Sequence, residues 1–155
     1  MIAILHNIRS SHNVGSIFRT ADAAGFEKLY LTGITPAPID RFGIPDRKLV
    51  KVSLGAEKYV PWEKAKSVAP LIKKLKKAKY MIFAIEQSKA SIPYSKFHIR
   101  HSKFVLIVGN EITGLAPSVL QQADKILEIP MQGKKESLNV TVAFGIVAMH
   151  LSSQS

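Results

Sequence analysis

The sequence predicts an α/β fold in which helices flank a mostly parallel sheet. Segments with strand character alternate along the chain with helical segments, which is typical of helices packed on both faces of a sheet. Two strand-like segments, residues 80–85 and 104–108, are apolar or aromatic without interruption, as expected for strands covered on both faces. Ligands of such sheets bind beyond the carboxyl ends of the strands, so the residues that follow these segments are candidate ligand contacts.

The individual elements follow from periodicity and from turn residues. Gly25 ends the first helix, three prolines and two glycines predict a long surface loop, and Pro70 marks a break or a new start within a helical region. In chain order, the sequence predicts a strand at 2–5, a helix at 14–24, a strand at 28–31, a surface loop at 32–47, one or two helices at 63–79, strands at 80–85 and 104–108, a short helix at 117–122, a strand at 126–129 and a final helix at 138–151.

The composition indicates one globular domain over residues 1–155. A chain of this length buries roughly 70% of the surface that it exposes when unfolded, so a sizeable core is expected. The sequence contains no cysteine, which excludes disulfides, thiolate metal sites and a cysteine nucleophile. The apolar runs are too short to span a bilayer and the first residues lack the basic lead of a secretory signal, so we expect a cytoplasmic protein.

The net charge is the most unusual property of the composition. Lysine and arginine number 22 against 11 aspartate and glutamate residues, which gives a formal net charge of +11. Five lysines lie between positions 73 and 79, and a second cluster comprises Arg41, Arg47, Lys48 and Lys51. Such an excess attracts polyanions and releases counterions from phosphates, which favours a folded nucleic-acid-binding protein. A basic surface that confers only solubility is the alternative.

The final predicted helix is apolar on nearly all sides. Between residues 138 and 151 only Asn139, Thr141 and His150 are polar, so most of the helix surface must be buried. A helix at the end of a short chain is hard to enclose within its own domain. We therefore expect it to form a homodimer interface, with an ordinary core helix as the alternative.

The first segment with candidate functional residues begins at Asn13. Asn13 is a good N-cap residue, because its side chain can accept a hydrogen bond from a free N–H of the first turn. Gly15 and Arg19 are four residues apart and share one helical face, where the glycine leaves room for a ligand or a second backbone. Taken alone, this segment is typical of a capped helix with a surface arginine.

The second segment follows the predicted buried strand at 104–108. Gly109 permits a tight turn and a close backbone approach at the end of the strand, and Asn110 and Glu111 follow it. Gly109 and Gly114 have the spacing of the two P-loop glycines, but an apolar pair follows where that motif requires lysine and serine or threonine. The P-loop NTPase motif is therefore excluded, and the sequence contains no G-x-G-x-x-G dinucleotide-binding fingerprint.

The third segment begins where the predicted strand at 126–129 ends. Ile129 and Met131 lead into a loop, and Ser137 stands at the expected start of the final helix. Ser137 suits an N-cap position, and Asn139 offers both a donor and an acceptor. The N-terminus of this helix also favours an anionic group.

These three segments, in this order, resemble the three sequence motifs of the SpoU (TrmH) family, in the SPOUT superfamily of RNA methyltransferases. The matching pieces are N-x-G-x-x-x-R from Asn13, G-N-E-x-x-G from Gly109, and I-P-M and S-L-N-V at 129–131 and 137–140. The match extends from about residue 12 to about 143. One SpoU domain without an appended RNA-binding domain is therefore expected.

The resemblance implies an α/β fold whose C-terminal part forms a trefoil knot, an exception to the rule that protein chains are not knotted. It also implies that S-adenosyl-L-methionine binds within the knot and that the protein is a homodimer with its site near the subunit boundary. The implied reaction transfers the methyl group of this cofactor to a ribose 2′-hydroxyl of RNA. The cofactor contacts implied by position are Ile85, Gly109, Ile129, Met131, Ser137 and Leu138.

The catalytic residues implied by the resemblance are Arg19, Asn13, Glu111, Ser137 and Asn139. Arg19 has the place of the base, but a guanidinium stays protonated in almost any protein setting. We therefore hypothesise that Arg19 binds the phosphate beside the target ribose and orients the hydroxyl. Glu111 is expected to hold Arg19 or Asn139 in place.

Other residues compete for these roles. His12 is an alternative base, although single histidines are usually structural or solvent-facing. His98 and His101 lack a third ligand in the sequence, so zinc is not expected. Asp22 lies one turn beyond Arg19 and is placed to pair with it. The lysines at 73–79 form either an RNA contact or a solvated helix face.

The identity of the RNA is not encoded in the motifs. A tRNA substrate is favoured over ribosomal RNA because the chain is small. A non-catalytic RNA-binding paralogue is an alternative, but we expect such a protein to lack Asn13, Arg19 or Asn139, and all three are present. A base-methylating member of the superfamily would share the knot but not the Asn13 and Arg19 pair.

Overall fold

A computed structural model describes residues 1–99 and 103–154. Within these residues seven strands form one sheet, and each pair of neighbouring strands is parallel. The predicted α/β class with a mostly parallel sheet is therefore confirmed. In chain order the strands are β1 (Ile2–His6), β2 (Lys28–Thr32), β3 (Trp62–Ala65), β4 (Met81–Ile85), β5 (Ile92–Pro93), β6 (Phe104–Val108) and β7 (Lys125–Glu128). Their order across the sheet is β3-β2-β1-β6-β4-β7-β5.

Helices cover both faces of the sheet. They are α1 (Ser11–Ala23), α2 (Arg47–Ser53), α3 (Val68–Lys77), α4 (Pro117–Leu120) and α5 (Val140–Ser152), with short 3₁₀ turns at Ala56–Lys58 and Tyr94–Lys96. The core with α1, α2 and α5 lies on one face of the sheet, and the core with α3 and α4 lies on the other. No helix in the described part of the chain is long and apolar enough to cross a membrane.

The central strand β6 has an unbroken apolar sequence because it is covered on both faces. All five of its residues are buried, and they alternate between the two cores. Leu106 faces α1, α2 and α5, whereas Val105 and Ile107 face α3 and α4. Because β6 pairs with β1 on one side and β4 on the other, the loops after all three strands leave the same edge of the sheet.

The strands predicted from apolar runs are confirmed to within one residue at each end. The prediction of a helix from residue 63 is wrong, because Trp62–Ala65 form the edge strand β3. Glu63 and Lys64 are exposed in this strand, so it has no continuous apolar run that would reveal it. Helix α3 begins only at Val68. Pro70 lies in its first turn, where the N–H that proline lacks has no partner within the helix.

Both N-cap predictions are wrong. Ser10 caps α1, and its hydroxyl accepts the N–H of Asn13 at 3.2 Å, so Asn13 lies inside the first turn. Asn139, not Ser137, caps α5, and its side-chain oxygen accepts the N–H of Thr141 at 2.8 Å. Serine and asparagine are comparable N-cap residues, so the sequence alone does not choose between neighbouring candidates. The correction leaves the Asn13 side chain free for contacts outside its own helix.

The predicted surface loop ends in a helix that the sequence did not reveal. The loop occupies residues 33–46, and Asp46 caps the seven-residue helix α2 by accepting the N–H groups of Lys48 and Leu49. The hydroxyl of Ser11 donates to the same carboxylate, which anchors the start of α2 to the start of α1.

Gly15 lies at a close contact between α1 and α2. A Cβ atom at this position would lie 2.5 Å from the carbonyl oxygen of Leu49 and 3.1 Å from the Cβ atom of Val52. The sequence predicted that this glycine leaves room for a ligand or a second backbone. The structure places the backbone of α2 there.

Gly15→Ala is expected to destabilise the protein, because the added methyl group forces α2 away from α1. Overpacking of this kind costs about 1–3 kcal/mol. The measurement is the free energy of unfolding in a chemical denaturant, followed by circular dichroism. Gly145→Ala in α5 is the matched control, because a Cβ atom there meets only the methyl group of Thr20 at 3.7 Å and alanine favours a helix. A Gly15→Ala variant as stable as the wild type would contradict the close packing of these helices.

Candidate active site

A cleft of about 180 Å³ opens at the carboxyl edge of the sheet, beyond β4, β6 and β7. Its walls come from the loops that follow these three strands and from the first turn of α5. The sheet topology brings these loops together, because β4 pairs in parallel with both β6 and β7. All six residues that the family resemblance implied as cofactor contacts line the cleft: Ile85, Gly109, Ile129, Met131, Ser137 and Leu138.

The cleft differs in charge from the rest of the molecule. Its walls carry three carboxylates, from Glu86, Glu111 and Glu128, and none of the described residues in the walls is lysine, arginine or histidine. The whole chain, by contrast, has a net charge of +11. Apolar side chains such as Val108 and Leu138 supply much of the remaining lining. The cleft therefore favours a ligand that combines apolar surface with positive charge.

Two glycines shape the loop after β6. A Cβ atom on Gly109 would lie 2.7 Å from the backbone carbonyl carbon of Gly114, so no larger residue fits without a shift of the loop. Gly114 has a left-handed backbone with φ +64°, and a Cβ atom there would meet the carboxylate of Glu86. The close backbone approach predicted at Gly109 is confirmed, and the approaching backbone belongs to the same loop.

Asn110 holds this loop against the end of β1. Its side-chain oxygen accepts the N–H groups of Ile112 and Thr113, and its amide donates to the carbonyl oxygen of Asn7 at 2.9 Å. Asn7 has a positive φ of 56°, and its amide lies 3.2 Å from Nε2 of His6. Burial lowers the pKa of His6, so this histidine stays neutral at neutral pH and acts as a support for Asn7.

Glu86 and Gln87, in the loop after β4, are among the polar residues of the cleft that were not predicted from the sequence. Glu86 follows β4 directly, and its carboxylate accepts the N–H groups of Leu115 at 2.8 Å and Gln87 at 3.0 Å. The Gln87 amide donates to the carbonyl oxygen of Glu136 at 2.7 Å, which ties the loop after β4 to the loop after β7. Their position directly after a buried strand is the signal that could have identified them, since Ile85 was already singled out for that reason.

The side chain of Glu111 organises the start of α1. It accepts the backbone N–H of Arg9 at 2.9 Å, the N–H of Ser10 at 3.1 Å and the side-chain amide of Asn13 at 3.0 Å. The oxygen of Asn13 in turn accepts the amide of Asn139, in a long contact of 3.5 Å. Three of the five residues implied as catalytic are thus joined in one hydrogen-bonded chain. Ser137 stands nearby in the wall of the cleft.

These hydrogen bonds favour the ionised form of Glu111. Partial burial opposes ionisation, but the N–H groups of Arg9 and Ser10 and the amide of Asn13 outweigh it. The pKa of Glu111 therefore lies below its ordinary value of 4.5. Because its oxygens already accept these donors, Glu111 is better suited to holding Asn13 than to removing a proton. Glu111 was expected to hold Arg19 or Asn139 in place; it is linked to Asn139 through Asn13, and no hydrogen bond among the described residues joins it to Arg19.

Arg19 stands apart from this chain of hydrogen bonds. It is exposed on α1, eight residues after the start of the helix at Ser11, which corresponds to roughly 12 Å along the axis. Its guanidinium makes no hydrogen bond or ion pair with any residue in the described ranges, and Asp22 does not pair with it. Within one copy of the chain, Arg19 is therefore free to contact a substrate or a partner.

The rival histidines gain no support. His12 is exposed, and no hydrogen bond joins it to the described residues. His101 lies outside the described residues, so the spacing of His98 and His101 stays a sequence observation. Among residues 1–99 and 103–154 no group of three histidine, cysteine, aspartate or glutamate side chains is placed to hold a metal ion.

The two basic clusters lie at opposite edges of the sheet. The lysines at 73–79 are exposed on or just after α3, which packs on the face opposite α1, and Lys76 forms an ion pair of 3.0 Å with Asp124. Because α3 leads into the start of β4, the end of this cluster lies at the amino edge, away from the cleft. This placement favours the interpretation as a solvated helix face. Arg41, Arg47 and Lys48 follow β2 and lie at the carboxyl edge.

Comparison with known proteins relates this geometry to one family. The model of the SpoU rRNA Methylase family matches residues 1–149. The tRNA (guanosine(18)-2'-O)-methyltransferase of Aquifex aeolicus is 31% identical over 159 residues, which cover 99% of this chain and 69% of that enzyme.

Solved structures agree with the family match. The crystal structure of an rRNA methyltransferase from Sinorhizobium meliloti with bound AdoMet superposes with a TM-score of 0.85 at 27% identity, over 96% of this chain and 54% of that one. A structure described as "Structural insights into the 2-OH methylation of C/U34 on tRNA" gives a TM-score of 0.82 at 27% identity, over 99% of this chain and 94% of that one. The chain thus spans about half of one relative and nearly all of another. With a family match over residues 1–149 and a common fold, the chain belongs to the SpoU rRNA Methylase family.

Proposed function

We propose that this protein transfers a methyl group from S-adenosyl-L-methionine to a ribose 2′-hydroxyl of RNA, with tRNA as the substrate. One observation carries the proposal. The cleft lined by all six implied cofactor contacts adjoins the hydrogen-bonded chain of Glu111, Asn13 and Asn139. A cofactor site and a set of substrate-orienting amides therefore lie side by side at the carboxyl edge of the sheet.

The residues of the cleft fit this cofactor. When bound, S-adenosyl-L-methionine supplies a methyl group activated by a positively charged sulfonium. The carboxylates of Glu86, Glu111 and Glu128 favour a cation in the cleft, and the apolar walls suit an adenine ring. Gly109 lines the cleft, and the space that a side chain would fill there is taken by the backbone of Gly114, which keeps the loop close to the end of β6.

In this proposal the polar side chains position the ribose. Glu111 fixes the amide of Asn13, and Asn13 is in contact with Asn139, so the two amides are oriented before the substrate arrives. Arg19 binds the phosphate beside the target ribose and orients the hydroxyl, whose proton passes to water as the methyl group is transferred. Ser137 lies in the cleft wall, where its hydroxyl can contact either substrate.

A homodimer is part of the proposal. Helix α5 is apolar on its outer side as well as its inner side, and Val142 and Met149 are about half exposed there, at 47% and 49%. Helix α1 packs beside α5, with Thr20 close to Gly145, so Arg19 borders the same surface. A second copy seated on this surface would cover the apolar residues and place Arg19 at the subunit boundary.

The trefoil knot is proposed for the C-terminal segment. The connection between β4 and β6 contacts this segment at two distant points. Gln87 donates to the carbonyl oxygen of Glu136, and the N–H of Ile99 donates to the side chain of Gln154 at 3.0 Å. One contact lies before α5 and the other after it. They support our proposal that the C-terminal segment passes through the connection between β4 and β6.

Two relatives that act on tRNA support the proposal of tRNA as the substrate. The related structure with 94% of its chain covered concerns methylation on tRNA, and the Aquifex aeolicus relative acts on tRNA guanosine. Ribosomal RNA is the alternative, because the Sinorhizobium meliloti protein is an rRNA methyltransferase. We propose a cytoplasmic location together with this activity, because tRNA and rRNA function there in translation. In this proposal the basic surface of this domain and that of its partner copy contribute to the selection of the RNA.

Arg19→Ala is expected to abolish methyl transfer, with a loss of at least about 100-fold, while the affinity for the cofactor stays near that of the wild type. Arg19 lies outside the cleft walls, so cofactor binding does not depend on it. Transfer is measured with tritiated S-adenosyl-L-methionine and bulk unmodified tRNA, and cofactor binding by calorimetry. Asp22→Asn on the next turn of α1 is the control and should retain activity. Full activity of the Arg19→Ala variant would show that Arg19 has no role in methyl transfer.

The reaction product distinguishes ribose from base methylation. After transfer, the RNA is digested to nucleosides, and we expect the label in a 2′-O-methyl nucleoside. A base-methylated nucleoside would contradict the proposed reaction. The same analysis of tRNA and rRNA from cells that lack the protein identifies the substrate by the missing 2′-O-methyl group.

Glu111→Gln is expected to slow methyl transfer by up to about 100-fold, because Asn13 loses its charged acceptor.

The same variant is expected to change how the stability of the protein depends on pH. The lowered pKa of Glu111 means that its carboxylate stabilises the fold above pH 4.5 and that this contribution is lost as the pH falls through the folded-state pKa. The free energy of unfolding of the variant should therefore decrease less steeply below pH 4.5 than that of the wild type. Identical pH profiles would show that the hydrogen bonds to Glu111 do not stabilise the fold.

A further inference from the structure

The tip of the loop after β2 is a small rigid hairpin, here named the hairpin tip and comprising residues 39–45. Ile39 and Pro45 form an antiparallel bridge, and the N–H of Asp40 donates to the carbonyl oxygen of Ile44 at 2.9 Å. One carboxylate oxygen of Asp40 also accepts the N–H groups of Phe42 and Ile44 at 2.8 and 2.9 Å. The turn is therefore held from inside by its own hydrogen bonds.

The base of the loop is fixed as well. The ammonium group of Lys64 donates to the carbonyl oxygens of Gly33 and Thr35, and burial lowers the pKa of this lysine. At the other end of the loop, Ser11 donates to Asp46. These hydrogen bonds hold the backbone of the loop at both ends and within its turn.

This rigid turn presents an aromatic ring to solvent. Phe42 is 71% exposed, and the guanidinium carbon of Arg41 lies 4.7 Å from the centre of its ring. Within residues 1–99 and 103–154, Arg41 is the one residue in a ring contact with Phe42. An exposed ring covered on one side by a guanidinium is a surface on which a nucleic-acid base can stack.

The charge around the hairpin tip indicates which partner it fits. Arg41, Arg47, Lys48 and Lys51 are all exposed on the tip and on α2, and Asp40 is the only acidic residue of the tip. A second copy seated on this surface would bring like charges together, whereas a polyanion would be attracted. The hairpin tip also lies on a loop that is linked to the proposed substrate site. Ser11 joins the end of this loop to the first turn of α1, which contains Asn13.

We infer that the hairpin tip binds an unpaired nucleotide of the RNA substrate. The base stacks on Phe42, and the neighbouring phosphates lie against Arg41, Arg47 and Lys48. This inference rests on the proposed function and adds to it a preference for RNA with exposed bases near the target ribose. Paired RNA offers only phosphates to the same surface and does not engage the ring.

The test compares two fluorescent RNA probes, a stem-loop with an unpaired loop and a fully paired duplex of the same nucleotide number. Binding to the intact protein is measured by fluorescence anisotropy. Phe42→Ala is expected to raise the Kd for the stem-loop about ten-fold and to leave the Kd for the duplex unchanged. Phe42→Trp should retain the wild-type Kd because it keeps a stacking surface. Tyr59→Ala is the matched control, since Tyr59 is 77% exposed but precedes β3 at the amino edge.

A second comparison isolates the phosphate contacts. The double variant Arg47→Gln and Lys48→Gln is expected to reduce the slope of log Kd against log salt concentration by about 1 to 2. The double variant Lys73→Gln and Lys74→Gln removes the same charge from α3, on the other face of the sheet, and should leave the slope unchanged. Equal effects of the two double variants would overturn the placement of RNA at the hairpin tip.

The outcomes separate this inference from the proposed function. A Phe42→Ala variant with unchanged affinity for the stem-loop, in a wild type that transfers methyl groups to RNA, overturns the inference alone. A change of mass in light scattering without a change in RNA affinity identifies the ring as a contact between copies and also overturns it. A wild type that binds S-adenosyl-L-methionine but transfers no methyl group to tRNA or rRNA overturns the proposed function first.

Discussion

The parallel pairing of β6 with β1 and β4 is the constraint on which the site depends. On the β1 side, it brings the loop after β6 to the start of α1, where Glu111 reaches the backbone of Arg9 and Ser10. On the β4 side, it brings the same loop to the walls of the cleft. One loop thus serves both the proposed cofactor and the proposed ribose. An antiparallel β6 would direct that loop to the opposite edge and separate the two functions.

The cleft and the rest of the protein differ in charge. The protein is strongly basic, yet the described walls of the cleft contain three carboxylates and no basic side chain. A cationic small molecule is therefore favoured within the cleft, while RNA is favoured outside it. Glutamates near a phosphate-rich substrate repel it. This repulsion is reduced because Glu86 and Glu111 already accept hydrogen bonds from backbone N–H groups. The negative charges of these two carboxylates are stabilised by the N–H groups whose hydrogen bonds they accept.

The sequence was most informative where burial left few choices. The unbroken apolar run of β6 and the glycines that follow it predicted a strand end with a tight turn, and both were found. The predictions of β3 and of the two N-caps failed, because the local sequence does not determine these features. The edge strand β3 has exposed charges, and the N-caps fell on Ser10 and Asn139 because several good candidates stand close together. The link from Glu111 to Asn13 joins residues 98 positions apart, which periodicity cannot reveal.

The contact between Asn13 and Asn139 has a consequence for the synthesis of the protein. The two side chains are 126 positions apart, because Asn13 lies in α1 and Asn139 caps α5. The pairing forms only after both helices and the segment between them have emerged from the ribosome, and long-range contacts of this kind form slowly. An incomplete nascent chain therefore lacks the joined amides, even when the earlier strands have already paired. In the proposed function, a chain that stops before Asn139 therefore lacks one of the two amides that orient the ribose.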